Sequence, residues 1–223
     1  MNTLDVKSLR KEMKFKIFNI DQSIFINWLL GSSNFCIAYS DREISSIYYD
    51  TLDYKFAYSN MTGESNRTKL RVRWYPKQSN LINENADDNF ITCVLERKRK
   101  SNDSSDKTIL GKKIFKNFNC KINQLNELSS WVNQMSSIDA DTSSSFLKET
   151  ILITYNRKYY RHILFPNVRL TIDSNITFRD INTSMKDTLI SKNFFVIELK
   201  YQLNDEYYAK SIMENSPFRR TRF

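Results

Sequence analysis

Five segments of the sequence place Glu, Lys or Arg at every second residue of a run that reads as a β-strand. They are Glu12-Met13-Lys14-Phe15-Lys16, Lys69-Leu70-Arg71-Val72-Arg73, Glu96-Arg97-Lys98-Arg99-Lys100, Arg169-Leu170-Thr171-Ile172-Asp173 and Glu198-Leu199-Lys200. Successive side chains of a strand point to opposite faces. Each run therefore charges one face of a sheet and leaves much of the other face apolar. One such strand is ordinary. Five of them, largely basic and three led by a Glu, predict a charged face that closes into a tunnel for a highly anionic ligand, with carboxylates available for a metal ion. Arg offers phosphate oxygens a planar fork and Lys a compact point charge.

Composition agrees. The 223 residues carry 34 basic and 25 acidic side chains, a formal charge of +9, which favours anionic partners without choosing among them. Only 3 Gly and 3 Pro occur, against Gly-rich nucleotide loops and low-complexity sequence, while aromatic content is a high 13%. Cys36, Cys93 and Cys120 are odd in number and far apart, so they are read as free buried thiols of a reducing compartment, and the expected location is cytoplasmic. No apolar stretch reaches the length of a membrane-spanning helix, and the N-terminus lacks the apolar core of a secretion signal.

The elements that must position these charges read as follows. Strands are predicted at Arg10–Phe18, Ile44–Tyr49, Thr68–Tyr75, Phe90–Lys100, Thr108–Phe115, Ile151–Ile163, Val168–Asp173 and Phe194–Gln202. Helices are predicted after Asp21, over Ile122–Met135 and over Leu203–Met213, with a short helix or turn over Thr51–Tyr58 capped by Asp50. Gln78–Asn89, Ser101–Asp106 and Ser136–Ser145 read as loops. No internal repeat or domain-sized linker appears, so residues 1–223 form one expected domain. The fold class is α+β: a closed antiparallel barrel whose charges face inward, and whose apolar positions (Met13, Phe15, Leu70, Val72, Leu95, Ile172, Leu199) face outward under helices near Trp28 and Trp131.

Seven segments in order carry a resemblance. They are Arg10-Lys11-Glu12-Met13-Lys14-Phe15, Ser46-Ile47-Tyr48-Tyr49-Asp50-Thr51, Lys69 to Tyr75, Leu95-Glu96-Arg97-Lys98, Tyr155-Asn156-Arg157-Lys158-Tyr159-Tyr160, Val168 to Asp173, and Val196-Ile197-Glu198-Leu199-Lys200-Tyr201. Together they resemble the VTC domain, the polyphosphate polymerase domain of the vacuolar transporter chaperone. That domain is a triphosphate tunnel metalloenzyme, related to the CYTH phosphatases and cyclases. The resemblance implies an eight-stranded tunnel in which Lys14, Arg71, Arg73, Lys98, Arg157, Arg169 and Lys200 hold phosphate oxygens. Glu198 would help hold Mn²⁺ or Mg²⁺. Glu12 and Glu96 would orient basic neighbours or assist the metal, Lys69 lies on the same face, and either Lys112 or Lys113 adds a phosphate contact. The implied reaction transfers the γ-phosphoryl group of ATP to a growing polyphosphate chain. A triphosphate hydrolase and a non-catalytic polyphosphate-binding module are the alternatives.

The sequence departs from the family near its end. The family continues into a Ser-Lys-Tyr motif whose lysine contacts phosphate, whereas here the residues are Arg219-Arg220-Thr221-Arg222-Phe223. The expectation is that the native chain continues or that these arginines substitute. The 223 residues read as the tunnel domain alone, so the expectation is that any coupling to translocation falls to other chains. A nucleic-acid platform is the less favoured reading. Such a sheet presents aromatic residues to bases, whereas here cations and glutamates occupy the face. His162, the single histidine, reads as a packing or surface residue rather than a general base, and Asp173 as a strand-end ion pair or turn residue.

Overall fold

The structure is a computed structural model that describes residues 10–18, 21–31, 34–76, 90–101, 104–139, 142, 146–181, 190–191 and 193–216. Its strands are β1 (Arg10–Phe18), β2 (Phe35–Thr51), β3 (Asn66–Trp74), β4 (Phe90–Ser101), β5 (Ser104–Lys116), β6 (Leu147–His162), β7 (Arg169–Asp180), β8 (Ile190–Ser191) and β9 (Phe194–Gln202). Its α-helices are α1 (Gln22–Gly31), α2 (Lys55–Thr62), α3 (Ile122–Ser136) and α4 (Glu206–Glu214), the last preceded by a 3₁₀ turn at Leu203–Asp205. The hydrogen-bonded order is β1-β9-β7-β6-β2-β3-β4-β5, with β8 on β7. The class is α+β, an eight-stranded antiparallel sheet with flanking helices.

The expected closed barrel is corrected. The order ends at β1 and β5, and no ladder joins them among the described residues. The charges do not need closure to be compensated, because each buried carboxylate on a charged face is paired with cations from its own and neighbouring strands. The open edges are protected by charge instead: β1 carries Lys11, Lys14 and Lys16, and β5 carries Lys107, Lys112, Lys113 and Lys116. Lysines on edge strands oppose pairing with another chain.

Chain contacts divide the protein into two compact units. One holds Met1–Arg42, Tyr155–Thr177 and Ser191–Phe223, the other Glu43–Thr154 and Phe178–Ile190. In the first unit the alternation of β1 sends Met13, Phe15 and Ile17 into a core with Leu170 and Ile172 of β7 and Phe195, Ile197, Leu199 and Tyr201 of β9. Phe25 and Leu29, one helical turn apart, cover it from α1, with Trp28 partly buried beside them, and Ala209 and Met213 cover it from α4. A fully buried Leu or Phe contributes about 1.5–3 kcal/mol. This burial fixes the face of each strand, because a one-residue slip would exchange apolar for charged side chains.

In the second unit Ile47, Tyr49, Leu70, Val72, Trp74, Cys93 and Leu95 pack beneath Leu125, Leu128 and Val132 of α3, with Trp131 partly buried. Gly111 suits this close contact, since a Cβ there would lie 3.0 Å from Trp131 Cζ2 and 3.3 Å from Met135 Sδ, so those side chains would have to shift by a few tenths of an ångström. Asp50 is buried and caps α2: Oδ1 accepts the N–H groups of Thr51 and Phe56, and Oδ2 that of Ala57, each at 2.8 Å. Asp50→Ala is expected to lower stability by about 1–2 kcal/mol, measured by urea unfolding, because these donors lose their acceptor. A loss under about 0.5 kcal/mol would show that water serves equally well.

Several boundaries differ from expectation. Strand β2 begins at Phe35 rather than near Ile44, β7 runs on to Asp180, and residues 104–106 of the expected loop belong to β5. The helix after Asp50 begins at Lys55, since Tyr54 adopts φ 58° and starts the turn. The expected Gln78–Asn89 loop and the terminal arginines lie outside the described residues, as does half of Ser136–Ser145. No helix among the described residues is long and apolar enough to cross a membrane.

Candidate functional site

Each unit presents one charged strand face, and strand register arranges its side chains in transverse rows. In the second unit the rows run across β3, β4 and β5. Arg73 stands opposite Val94 and then Lys112, Arg71 opposite Glu96 and then Ile109, and Lys69 opposite Lys98 and then Lys107. Tyr48 and Ser46 of β2 extend the first two rows, opposite Arg71 and Arg73.

A bulge in β5 completes this face. Leu95 pairs with Gly111 but Glu96 pairs with Ile109, so Leu110 is an extra residue. The extra residue reverses the alternation. Gly111 and Phe115 therefore lie on the α3 side, whereas Lys107 joins the charged side and reaches Glu96 Oε1 at 2.6 Å. Arg71 grips the other carboxylate oxygen, with Nε and Nη2 at 2.9 and 2.8 Å from Oε2, and donates from Nη1 to the Tyr48 hydroxyl at 3.2 Å. Arg73 Nε is 3.3 Å from Ser46 Oγ. Tyr48, Lys69, Arg71, Glu96, Lys98 and Lys107 line a cavity of about 40 Å³.

Electrostatics follow from these contacts. Burial opposes ionisation of Glu96, but Arg71, Lys107 and Arg73 outweigh it and hold the carboxyl below its usual range. Burial likewise raises the Tyr48 phenol, and Arg71, Arg73 and Lys69 overcome it and bring the group below its ordinary value. Lysines directly opposite one another are mutually repulsive, so the Lys69–Lys98–Lys107 row is a place where an anion is stabilising.

In the first unit the rows cross β1, β9 and β7: Glu12–Lys200–Arg169, Lys14–Glu198–Thr171 and Lys16–Val196–Asp173. Glu198 is buried, with Lys200 Nζ 2.8 Å from Oε2 and Lys14 Nζ 3.5 Å from Oε1. Burial resists its charge, yet Lys200 and Lys14 prevail and hold it well below the carboxylate range. Lys14 is also 3.6 Å from Glu12 Oε1. Burial lowers its pKa, and the attraction of Glu198 and Glu12 raises it further than burial lowers it. Arg157 of β6 makes a fork-to-fork pair with Asp173, Nε to Oδ1 and Nη2 to Oδ2, both at 2.6 Å. Asp173 thus serves as the expected ion-pair residue, with Arg157 as its partner.

The expected residues are therefore distributed between the units. Glu12, Lys14, Arg157, Arg169, Glu198 and Lys200 belong to the first, and Lys69, Arg71, Arg73, Glu96, Lys98, Lys112 and Lys113 to the second. Glu12 and Glu96, expected on one inner face, are in different units. Of the alternatives Lys112 and Lys113, Lys112 shares the face of Glu96, whereas Lys113 pairs with Glu127 of α3 at 2.8 Å. Sequence reasoning missed Lys107, because the bulge that turns it has no signal beyond Gly111. It also missed Tyr48 and Thr171, whose strand parity alone would have placed them on the charged faces.

Among the described residues no group of three or more His, Cys, Asp and Glu could hold a metal. Glu198 and Glu12 still fit Mg²⁺ or Mn²⁺, which characteristically takes one or two carboxylates and fills its other positions with phosphate oxygens and water. The remaining titratable candidates are structural. His162 is 3% exposed, its Nδ1 accepts the backbone N–H groups of Leu164 and Phe165 at 3.2 and 3.1 Å, and burial lowers its pKa. Burial pushes the thiols of Cys93 and Cys120 up to about 12 and about 11, so neither is a thiolate near neutral pH.

The VTC domain family matches residues 2–223. Comparison with curated proteins gave no match. Among solved structures, a candidate adenylyl cyclase from Hippeastrum with a dominant triphosphatase activity is 13% identical, covering 95% of this chain and 90% of that one with a TM-score of 0.48. A candidate adenylate cyclase from Bacillus halodurans is 12% identical over 96% and 94% of the two chains, with a TM-score of 0.49. The PH1819 protein of Pyrococcus horikoshii is 12% identical over 93% and 92%, with a TM-score of 0.46.

Proposed function

The chain belongs to the VTC domain family, and on that premise we propose that it is an ATP-dependent inorganic polyphosphate polymerase. The observation that carries the reading is the pair of charged strand faces, each with cations in excess and each carboxylate held by lysine or arginine. A ligand for such faces carries dense negative charge. Glutamates among the cations favour one that arrives with a divalent metal, and a bare phosphodiester backbone gains nothing from them.

In this reading Glu198 and Glu12 would hold Mn²⁺ or Mg²⁺, and the bound ion would supply charge neutralisation at the triphosphate of ATP. Lys14, Arg169 and Lys200 bind its phosphoryl oxygens. The row Lys69, Lys98 and Lys107, with Arg71, Arg73 and Lys112, is a second set of cations suited to phosphate oxygens. A terminal oxygen of the polymer attacks the γ-phosphorus, the bond to the β-phosphate oxygen breaks, and ADP leaves. That oxygen is already anionic, so no general base is required, in keeping with the structural role of His162. Phosphoryl transfer depends mainly on positioning and charge stabilisation. The proposed compartment is the cytoplasm, where ATP is supplied and thiols stay reduced.

Purified protein incubated with ATP and Mn²⁺, then resolved on a gel beside a phosphate assay, tests the reading. A ladder of polyphosphate is expected. Free phosphate without a ladder would replace synthesis with hydrolysis. Tight polyphosphate binding with neither product would reduce the protein to a binding module.

A further inference from the structure

Thr171 has no role so far. It stands on β7 directly opposite Glu198, in the row Lys14–Glu198–Thr171. Its neighbours Leu170 and Ile172 are in the core, so alternation places its side chain on the charged face. Its Oγ1 is buried and has no hydrogen-bond partner among the described residues. The Glu198 oxygens across from it are taken by Lys14 and Lys200 instead.

A hydroxyl left in this condition weakens the fold. Burying a polar group without a hydrogen bond is unfavourable, and Val would preserve the β-branched shape without that penalty. Folding alone therefore selects against the oxygen, and a ligand that reaches this row would satisfy it. The available chemistry is one O–H donor, in the same transverse row as Lys14 and Glu198, the carboxylate assigned to the metal.

We propose that the Thr171 hydroxyl is a ligand-binding group of the first unit, donating to a phosphoryl oxygen of the metal-bound triphosphate. This rests on the reading of Glu198 and its cations as the triphosphate site. It adds a neutral donor to a site otherwise built from charges, and so fixes the position of an oxygen that point charges alone would leave free to rotate.

The test is calorimetric binding of inorganic tripolyphosphate, with and without Mn²⁺, to wild type, Thr171→Val and Thr171→Ser, together with melting of each protein free of ligand. Thr171→Val is expected to bind about tenfold more weakly or worse, the scale of one lost hydrogen bond to a charged acceptor. It is expected to melt at or above the wild-type temperature. Thr171→Ser keeps the donor and is expected to bind near the wild-type level. Equal binding by Thr171→Val and wild type overturns the assignment of Thr171 and leaves the triphosphate site standing. A clear fall in the melting temperature of ligand-free Thr171→Val, or its failure to fold, means the hydroxyl serves the fold, and overturns the assignment as well. Weak binding by Thr171→Ser does the same. Wild type that binds no tripolyphosphate overturns the site itself.

Discussion

Glu198→Gln is expected to lower metal-dependent turnover about a hundredfold or more while polyphosphate stays bound. The substitution keeps the shape of the side chain and one acceptor oxygen but removes the charge that a divalent ion requires. Losses of 10²–10³-fold are typical when one electrostatic contact at a reacting centre is deleted. Lys14 and Lys200 lose their shared counter-charge, yet both are substantially exposed and can be hydrated. Glu198 itself is buried, so the substitution is also expected to lower stability by about 1–3 kcal/mol, and turnover is compared where both proteins are folded.

The same substitution has a pH signature. The folded pKa of Glu198 lies below its usual value, so the folded state binds fewer protons. Its contribution to stability is present above the unfolded value near 4.5 and is lost as pH falls through the folded value. Urea midpoints of wild type should thus decline below pH 4.5 more steeply than those of Glu198→Gln. Unchanged turnover with Mn²⁺ would remove Glu198 from the metal, and parallel pH curves would remove the ion pairs from the energetics.

Asp173→Ala should be the most destabilising single change on either charged face. Arg157 and Asp173 are only 14% and 13% exposed, and their two parallel bonds are the best-formed ion pair of the first unit. Removing one member leaves a buried guanidinium without its counter-charge, which costs about 3–5 kcal/mol. Removing both, as in Arg157→Met with Asp173→Leu, should recover most of that loss, because a well-packed apolar pair often replaces a buried ion pair with little penalty. Urea unfolding measures both. A single-mutant loss under about 1 kcal/mol would mean the pair behaves like an exposed one, leaving Arg157 available to phosphate.

The charged faces were legible because their cause is local. Alternation in Lys69–Arg73 and Glu198–Lys200 needs no knowledge of neighbouring strands, and every apolar position expected opposite those charges is buried. What the sequence hid is non-local. Strand order depends on which edges meet, so an expected barrel became an open order ending at β1 and β5. Arg157 and Asp173 are 16 residues apart and meet only because β6 and β7 are neighbours. The side taken by Lys107 rests on one extra residue at Leu110. A strict two-residue alternation carried through that point assigns it to the wrong face.

The grip of Glu96 on Arg71 and Lys107 also bears on the entropy of binding. Long cationic side chains normally lose rotamer freedom when they close on a ligand, about 0.5–1.5 kcal/mol for each one immobilised. Here Arg71 is already held at Nε, Nη1 and Nη2, and Lys107 at Nζ, before any phosphate arrives. Much of that ordering has been completed during folding. A carboxylate among cations weakens their pull on an anion, yet it delivers them rigid and already aimed. Such a face should discriminate ligands by the spacing of their phosphates more sharply than by their total charge.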